Sequence, residues 1–184
     1  MRYRRRMREY PRLVSSQTVY HGKLFDVELD ELEMPGGGIA RREIIRHPGA
    51  VCMVPIDADG RIVLVTQYRH AAGKRLLELP AGTLEPGEEP ETTAVRELQE
   101  EIGMRPGKIA SLGGFFVAPG YTSEYIWLYV CTSLVPARLD ADDDEDIEVE
   151  YVTTDQALAA IKSGGICDGK SVTGILRWLQ SINQ

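Results

Sequence analysis

The chain has 184 residues, of which 43% are hydrophobic and 27% charged, and its formal net charge at pH 7 is −7. This composition is typical of a globular protein with its own core and excludes the collagen-like and low-complexity classes. The apolar runs near residues 62–65 and 125–130 are much shorter than the ~18–20 residues needed to cross a bilayer. We therefore expect no membrane partner.

Residues 1–12, MRYRRRMREYPR, predict a basic flexible tail. The tail lacks the apolar segment of a secretory signal, so we expect a cytoplasmic protein. Its arginines could contact RNA or a membrane, but the remainder of the chain is acidic, which favours a solvated tail and no nucleic-acid partner. The cysteines at positions 52, 131 and 167 have no metal-ligand spacing and are expected to be reduced thiols, the first two in apolar strands.

Residues 13–47 predict an N-terminal antiparallel β appendage in the form of a β-hairpin. Apolar and polar residues alternate over 24–32, the sequence PGGG at 35–38 interrupts the pattern, and it resumes over 39–46. Two apolar strands follow at 50–56 and 61–67, and the Asp-Gly step at 59–60 between them predicts a tight hairpin. A further short strand is predicted at 76–79.

The second half of the chain predicts strands at 109–117, 124–134 and 148–152 and amphipathic helices at 155–162 and 171–182. On the last helix, Val172, Ile175, Leu176 and Leu179 share one face. Strands outnumber helices and the hairpins are tight. The pattern therefore predicts an α/β protein with mixed layers and not a doubly wound parallel sheet.

One helix is unusual because it concentrates negative charge. Residues 82–104 read GTLEPGEEPETTAVRELQEEIGM, with Pro90 suited to the first helical position and Gly103 to the C-terminal cap. Glutamates at positions 97, 100 and 101 then form a ridge beside an apolar face made by Ala94, Val95, Leu98 and Ile102. Like charges at this spacing repel. Bound divalent cations, which prefer carboxylate oxygens, would offset that repulsion.

The same segment resembles the Nudix box, Gx5Ex7REUxEExGU, where U is a bulky apolar residue. It matches at every fixed position: Gly82, Glu88, Arg96, Glu97, Leu98, Glu100, Glu101, Gly103 and Met104. The resemblance implies a Nudix fold over residues 48–184, with a mixed β-sheet sandwiched between α-helices. It also implies hydrolysis of a nucleoside diphosphate linked to another group, with Mg²⁺ as the metal and Mn²⁺ as a substitute.

The resemblance also implies roles for individual residues. Glu97 and Glu101 would bind the metal directly, Glu100 would act through one metal ion or its water, and the carbonyl of Ala81 would complete the site. Arg96 would orient the glutamates. Gly82 and Gly103 would allow close turns of the chain, and Glu88 would be a structural anchor.

Outside the box, two stretches resemble the ADP-ribose pyrophosphatase branch of the family. FVAPGYTSE at 116–124 contains the branch's marker proline, Pro119, followed by Gly120 and Glu124 as predicted substrate-binding residues. QYR at 67–69 places Arg69 where the branch has an arginine that contacts the diphosphate, and a guanidinium suits bidentate phosphate binding. A surface arginine at the end of a strand is the alternative.

The appendage carries a third resemblance, ARREI at 40–44. It implies a homodimer in which Arg42 and Glu43 help to hold the nucleotide bound by the partner subunit. Cross-strand charge pairing on an exposed hairpin would explain the same two residues. The chain departs from the branch after its first strand, where Lys23 and Leu24 precede Phe25 and the branch can present an aromatic ring to the adenine.

An acidic loop, ADDDEDI at 141–147, matches the loop from which the branch supplies a glutamate. We hypothesise that Glu145 accepts the proton of the attacking water, with Asp143 as the second choice. A solvated acidic loop without a catalytic role is the alternative.

These features predict Mg²⁺-dependent hydrolysis of ADP-ribose to AMP and ribose 5-phosphate. Two alternatives stay open. One is a pyrophosphatase for another nucleoside diphosphate sugar, such as GDP-mannose or ADP-glucose. The other is a Nudix module that binds a nucleotide without catalysis, although such modules commonly lose the box carboxylates that this chain retains.

Overall fold

The computed structural model describes residues 10–140 and 146–182. The chain divides into two compact units: the first contains the described part of 1–48 together with 118–124, and the second contains the described parts of 49–117 and 125–184. Segment 118–124, which lies within the predicted Nudix region 48–184, is thus grouped with the N-terminal strands. None of the described helices is long and apolar enough to cross a membrane.

The N-terminal unit is a three-stranded antiparallel sheet, one strand more than a hairpin. It consists of β1 (Arg12–His21), β2 (Asp26–Glu33) and β3 (Ile39–Arg46), in that order. Between β2 and β3 the chain turns at Gly37 and Gly38, whose φ angles of 82° and 89° explain why glycine is needed there. Segment 118–124 joins this unit through a parallel bridge between Ile45 and Thr122.

The second unit contains the remaining strands and all described helices. In chain order these are β4 (Ala50–Pro55), β5 (Ile62–Arg69), β6 (Lys74–Glu78), β7 (Ala81–Thr83), α1 (Pro90–Glu101), β8 (Met104–Phe116), β9 (Tyr125–Pro136), β10 (Glu148–Val152), α2 (Thr154–Ser163) and α3 (Gly169–Ile182). One sheet has the order β7-β4-β9-β8, in which only the β4–β9 pair is parallel. The other is antiparallel, with the order β10-β5-β6.

The prediction of a hairpin between β4 and β5 is correct for the turn and wrong for the pairing of the two strands. The turn forms, with Gly60 N donating to Asp57 O at 3.2 Å, but the two strands share a single bridge, Ile56 to Ile62. Both edges of β4 are already paired, with β7 and β9. No edge of β4 is therefore left for β5, which enters the other sheet.

The four-stranded sheet is covered by helices on both faces, as the mixed α/β prediction requires. Alternate residues of β4 belong to different core clusters, because successive side chains of a strand point to opposite faces. Val51 and Met53 pack with Ala94 and Leu98 of α1. The other face of β4 packs against α3 through Cys52, Val54, Ile175 and Trp178.

The buried face of α3 differs in one residue from the prediction. Ile175 and Trp178 are buried, and Val172 and Leu179 pack at the edge of the core. Leu176, however, is 46% exposed, so its predicted place in the core is wrong. Gly174 lies in the buried stripe instead, against Leu79. The four buried residues of α3 (Ser171, Gly174, Ile175 and Trp178) are centred about 150° away from Leu176.

The cysteines have the environments predicted for them. Cys52 and Cys131 are buried and Cys167 is exposed, and all three are unpaired. Burial raises the pKa of the Cys131 thiol to about 12, and burial also raises the pKa of Cys52. The two buried thiols therefore serve as small apolar core residues.

Candidate active site

Helix α1 places the box glutamates at one edge of the second unit. It begins at Pro90 and ends at Glu101, and the φ angle of Gly103 just beyond it is 70°. Both predicted boundary signals are therefore confirmed. Leu98 and Ile102 are buried, which fixes the rotation of the helix. Glu97 and Glu100 are then partly exposed, whereas Glu101 is buried.

Arg96 lies among three carboxylates of the box. Its Nε and Nη2 donate to the two oxygens of Glu88, each at 3.1 Å, and its Nη1 donates to Glu97 Oε1 and Glu100 Oε2, each at 2.8 Å. The hydrogen bond with Glu88 is the main cause that raises the pKa of Arg96, and the same bond lowers the pKa of Glu88. The guanidinium therefore holds the glutamates, as the resemblance implied for Arg96.

Gly82 is required by the position of Glu97. A Cβ atom built on Gly82 would lie 1.8 Å from Cδ of Glu97, so any larger residue here would force the Glu97 carboxylate out of its position. Gly82 pairs with Val51 in the sheet, so the backbone of β7 cannot easily retreat. The carboxylate of Glu97 thus lies directly against the strand.

Glu101 contacts the backbone just before Gly82. Its side-chain Oε2 accepts a hydrogen bond from Ala81 N at 3.1 Å, and the residue is only 3% exposed. Ala81 also pairs with Cys52 in the sheet, and the preceding carbonyl, of Pro80, accepts from Met53 N at 3.0 Å. Strand pairing and α1 together fix the segment whose carbonyl was predicted to bind metal.

The donor set at this end of α1 suits a hard divalent cation. All the predicted ligands (Glu97, Glu100, Glu101 and the Ala81 carbonyl) present oxygen atoms, which Mg²⁺ and Mn²⁺ prefer. A carboxylate has about four lone-pair positions, so its bond to Arg96 does not exhaust its capacity. Among residues 10–140 and 146–182, no group of three or more His, Cys, Asp or Glu side chains is arranged to hold a metal ion as it stands. Arg96 occupies the central place between Glu97 and Glu100.

A second charged cluster was missed by sequence reasoning. Arg69 donates its Nε to Glu78 Oε1 at 2.6 Å, Lys170 donates to the other oxygen of Glu78, and Lys170 also donates to Asp168 Oδ2 at 3.0 Å. Glu78 is 1% exposed. One feature of the sequence could have indicated this cluster: Glu78 is the single charged residue in the apolar run LLELPA at 76–81. A charge buried in such a run needs a partner of opposite sign.

Arg42 and Glu43, predicted to contact a nucleotide, are both exposed on β3 of the N-terminal unit. Arg42 donates its Nη1 to Arg41 O at 2.8 Å. The ion pairs that the structure describes on this sheet use the neighbouring arginines, as in Arg41 with Glu31 and Arg46 with Glu28.

The predicted substrate loop belongs to the same unit. Pro119 and Gly120 form an exposed turn in which Tyr121 N donates to Ala118 O at 3.1 Å. Glu124 follows, with its N bonded to Thr122 Oγ1 at 3.1 Å. The structure therefore brings the box residues together around Arg96. The predicted substrate loop is part of the N-terminal unit and not of the unit that contains the box.

The N-terminal unit also contains a cavity of about 440 Å³. Its lining includes Lys23, Phe25, Arg46 and Ser123. The ring of Phe25 is half-buried, 6.2 Å from that of Tyr20. The residues in which the chain departs from the branch thus line this cavity.

The predicted base, Glu145, and the alternative, Asp143, lie outside the described residues. The neighbouring Asp146 is described, and its Oδ2 accepts from Arg75 Nη1 at 2.6 Å. Arg75 also donates to Glu148 at 2.9 Å.

Comparison with known proteins agrees with the fold and the box. The model of the NUDIX domain matches residues 46–170. The chain therefore belongs to the Nudix family. A solved structure described as an ADP compounds hydrolase superposes with a TM-score of 0.85 and 24% identity over 95% of each chain, which shows the same fold.

Several relatives are similar over most of their length. The ADP-ribose pyrophosphatase of Bacillus subtilis strain 168 is 35% identical over 164 residues, which cover 88% of this chain and 89% of the relative. That of Mycobacterium tuberculosis strain H37Rv is 39% identical over 166 residues, covering 89% and 80%. The methanol dehydrogenase activator of Bacillus methanolicus is 38% identical over 164 residues, covering 88% and 89%. The two ADP-ribose pyrophosphatases among these relatives confirm the predicted branch of the family.

Proposed function

We propose that the protein is a Mg²⁺-dependent hydrolase that cleaves the pyrophosphate bond of ADP-ribose to AMP and ribose 5-phosphate. The observation that carries this proposal is the complete box, in which Arg96 bonds Glu97 and Glu100 beside Gly82. The similarity to two ADP-ribose pyrophosphatases supports the choice of substrate.

Mg²⁺, with Mn²⁺ as a substitute, would be held by Glu97, Glu101 and the carbonyl of Ala81, and Glu100 would act through the metal or its water. When bound, the cation offsets charge on the phosphoryl oxygens and makes water a better nucleophile. Arg96 orients Glu97 and Glu100 through the hydrogen bonds that its Nη1 donates to them.

The proton of the attacking water goes to Glu145 in this proposal. Glu145→Gln removes the acceptor, so kcat should fall by roughly 10²–10⁴-fold, the usual contribution of a general base. Asp143→Asn is the matched control and should stay within a few-fold of wild type. Initial rates at saturating Mg²⁺ compare the two variants, and the reverse pattern would assign the base to Asp143.

The predicted substrate-binding residues keep their individual roles in the proposal. Arg69 binds the diphosphate, the turn at Pro119 and Gly120 shapes the loop, and Glu124 contacts the nucleotide sugar. Arg42 and Glu43 act on the nucleotide of the partner subunit in a homodimer.

Dimerisation through the N-terminal sheet is supported by the exposure of β1. All ten of its residues are exposed, including Leu13, Val14 and Val19. Its outer edge pairs with no other strand of the described chain, and an unpaired edge is a template for another chain. Light scattering at micromolar concentration should give twice the mass of the chain, and a monomeric mass would remove Arg42 and Glu43 as cross-subunit contacts.

We also propose a cytoplasmic location. All three cysteines are unpaired, which suits a reducing compartment.

Initial-rate hydrolysis tests the function. The panel contains ADP-ribose, GDP-mannose, ADP-glucose, NADH and diadenosine polyphosphates, each with Mg²⁺ and with a chelator. We expect the highest kcat/KM for ADP-ribose and its loss with chelator. A preference for another nucleoside diphosphate sugar would keep the metal ligands and change the substrate, and binding of ADP-ribose without turnover would identify a non-catalytic module.

A second function is favoured by one comparison, the relative named methanol dehydrogenase activator. The test adds the protein to a methanol dehydrogenase and measures the rate of that enzyme with Mg²⁺. An increase that Glu97→Gln abolishes would indicate that hydrolysis by the same site serves activation.

A further inference from the structure

Four charged side chains form a row of alternating sign in the second unit. The row runs from Asp168 through Lys170 and Glu78 to Arg69. Side-chain exposure is 14% for Asp168, 14% for Lys170, 1% for Glu78 and 39% for Arg69. The row is therefore buried except at its positive end, Arg69.

Strand register shows which way Arg69 faces. Val65 pairs with Glu78, and Val65 and Arg69 lie on the same side of β5 because side chains alternate along a strand. Val65 packs in the core cluster that contains Ala94 and Leu98 of α1. Arg69 and Glu78 therefore lie on the same side of the β5–β6 pair as Val65.

Only one of the three guanidinium nitrogens of Arg69, Nε, is hydrogen-bonded within the row. Its Nε donates to Glu78, and no bond of its Nη1 or Nη2 to the described part of the chain is found. A guanidinium carries five N–H groups in a fixed fork. Fixing Nε therefore fixes the direction in which the outer two nitrogens can donate to an anion.

Lys170 determines the net charge behind Arg69. Burial opposes its charged form, but Asp168 and Glu78 outweigh burial, so the pKa of Lys170 lies above its ordinary value. Arg69 and Glu78 alone would be a neutral pair. Lys170 bonds the second oxygen of Glu78 and is itself bonded to Asp168, so the four side chains sum to +2 − 2 = 0. Without Lys170 the row would be negative; with it, the positive charge at the exposed end, Arg69, is not outweighed by the carboxylates behind it.

We propose that Glu78 and Lys170 are positioning residues, which orient Arg69 and preserve its charge for binding the substrate's diphosphate. This inference rests on the proposed function, in which Arg69 contacts the diphosphate. The helix start at α3 thereby supports substrate binding, although neither Lys170 nor Glu78 touches the substrate.

A double-mutant cycle tests the proposal. Lys170→Met and Arg69→Ala are made singly and together, with Lys170→Arg as the conservative variant and Lys162→Met, exposed on α2, as the matched control. For each, kcat and KM for ADP-ribose are measured with Mg²⁺, the Kd for ADP-ribose is measured by calorimetry with Ca²⁺, and the thermal unfolding midpoint is recorded.

We expect Lys170→Met to raise KM about tenfold, within the range of couplings between contacting residues, while kcat changes less than threefold. In the Arg69→Ala background the same change should have no further effect on KM or Kd, because its target is gone. Lys170→Arg should restore most of the loss, and Lys162→Met should match wild type.

Two results would overturn the proposal. One is an equal effect of Lys170→Met on KM and Kd in the wild-type and Arg69→Ala backgrounds, and the other is a lower unfolding midpoint with unchanged KM and Kd. Either would mean that the row stabilises the fold and does not serve substrate binding. If Lys170→Met does not fold, Glu78→Gln, which keeps the side-chain shape, replaces it in the cycle. Binding without turnover would refute the proposed function, and the Kd cycle would still decide the inference. Neither binding nor turnover of ADP-ribose would overturn both.

Discussion

The second unit contains two charge clusters of opposite design. In one, a single guanidinium, Arg96, is shared by the carboxylates of Glu88, Glu97 and Glu100. In the other, a single carboxylate, Glu78, is shared by the cations Arg69 and Lys170. The first has a formal charge of −3 + 1 = −2, and the second, with Asp168 paired to Lys170, is neutral at +2 − 2 = 0. The first cluster suits a cation, and the second leaves an exposed cation for an anion.

Burial separates the two clusters as well. The side chains of Glu97 and Glu100 are 13% and 23% exposed, whereas that of Glu78 is 1% exposed. Removing one partner of a buried charge leaves an uncompensated ion, which is strongly destabilising. Substitutions beside α1 should therefore change activity more than stability, and those at Glu78 should change both.

The largest effect is expected from Glu97→Gln. The change keeps the shape of the side chain and removes the charge that binds metal, so kcat should fall by about 10³-fold or more, as for loss of a charge-stabilising group. Glu91→Gln, on an exposed residue of the first turn of α1, is the matched control. Initial rates with Mg²⁺ compare them, and a loss of less than tenfold at position 97 would contradict the metal-binding role of this cluster.

Gly82→Ala should have the next largest effect, because the added Cβ would occupy the place of the Glu97 carboxylate. We expect kcat to fall by about 10²-fold, since misplacing a catalytic group by about 1 Å can have that effect. Gly36→Ala is the control: a Cβ there meets no atom within 4 Å. If Gly82→Ala were as active as the control, close packing of Glu97 against β7 would not matter for catalysis.

The α1 cluster was predictable from sequence because its determinants are local. Pro90 and Gly103 bound the helix, and the spacing of Arg96 and Glu100 brings them together on any α-helix. The apolar positions Ala94, Leu98 and Ile102 fix which side faces the core. The family pattern and the helical period both lie within residues 82–104, so the cluster could be predicted without knowing which strands pack against the helix.

The Glu78 cluster was not predictable, since it depends on contacts between distant segments. Glu78 and Lys170 are 92 residues apart, and no local pattern links them. The separation of β4 from β5 was missed for the same reason: it depends on β9, which pairs with β4 from far along the chain. Leu176 was misplaced because Gly174, which carries no apolar side chain, lies in the buried stripe of α3.

The smallest effect concerns the pH dependence of stability. The hydrogen bond with Arg96 lowers the pKa of Glu88. The ion pair therefore contributes stability above the ordinary glutamate pKa of about 4.3, and the contribution disappears as the pH falls through the folded-state pKa. Glu88→Gln should thus lower the free energy of unfolding by about 1–2 kcal/mol at pH 7, and the gap from wild type should close below about pH 4.

Denaturant unfolding at pH 7, 5, 4 and 3 measures this gap, with Glu91→Gln as the control whose difference from wild type should not follow the same curve. A gap that stays constant with pH would mean that Glu88 stabilises the fold by packing alone. In that case the charge of Glu88 would add nothing to the free energy of unfolding. The two clusters would then differ in their effect on stability only because Glu78 is more deeply buried. A gap that closes in acid would instead show that one arginine links the stability of α1 to the ionisation of the box.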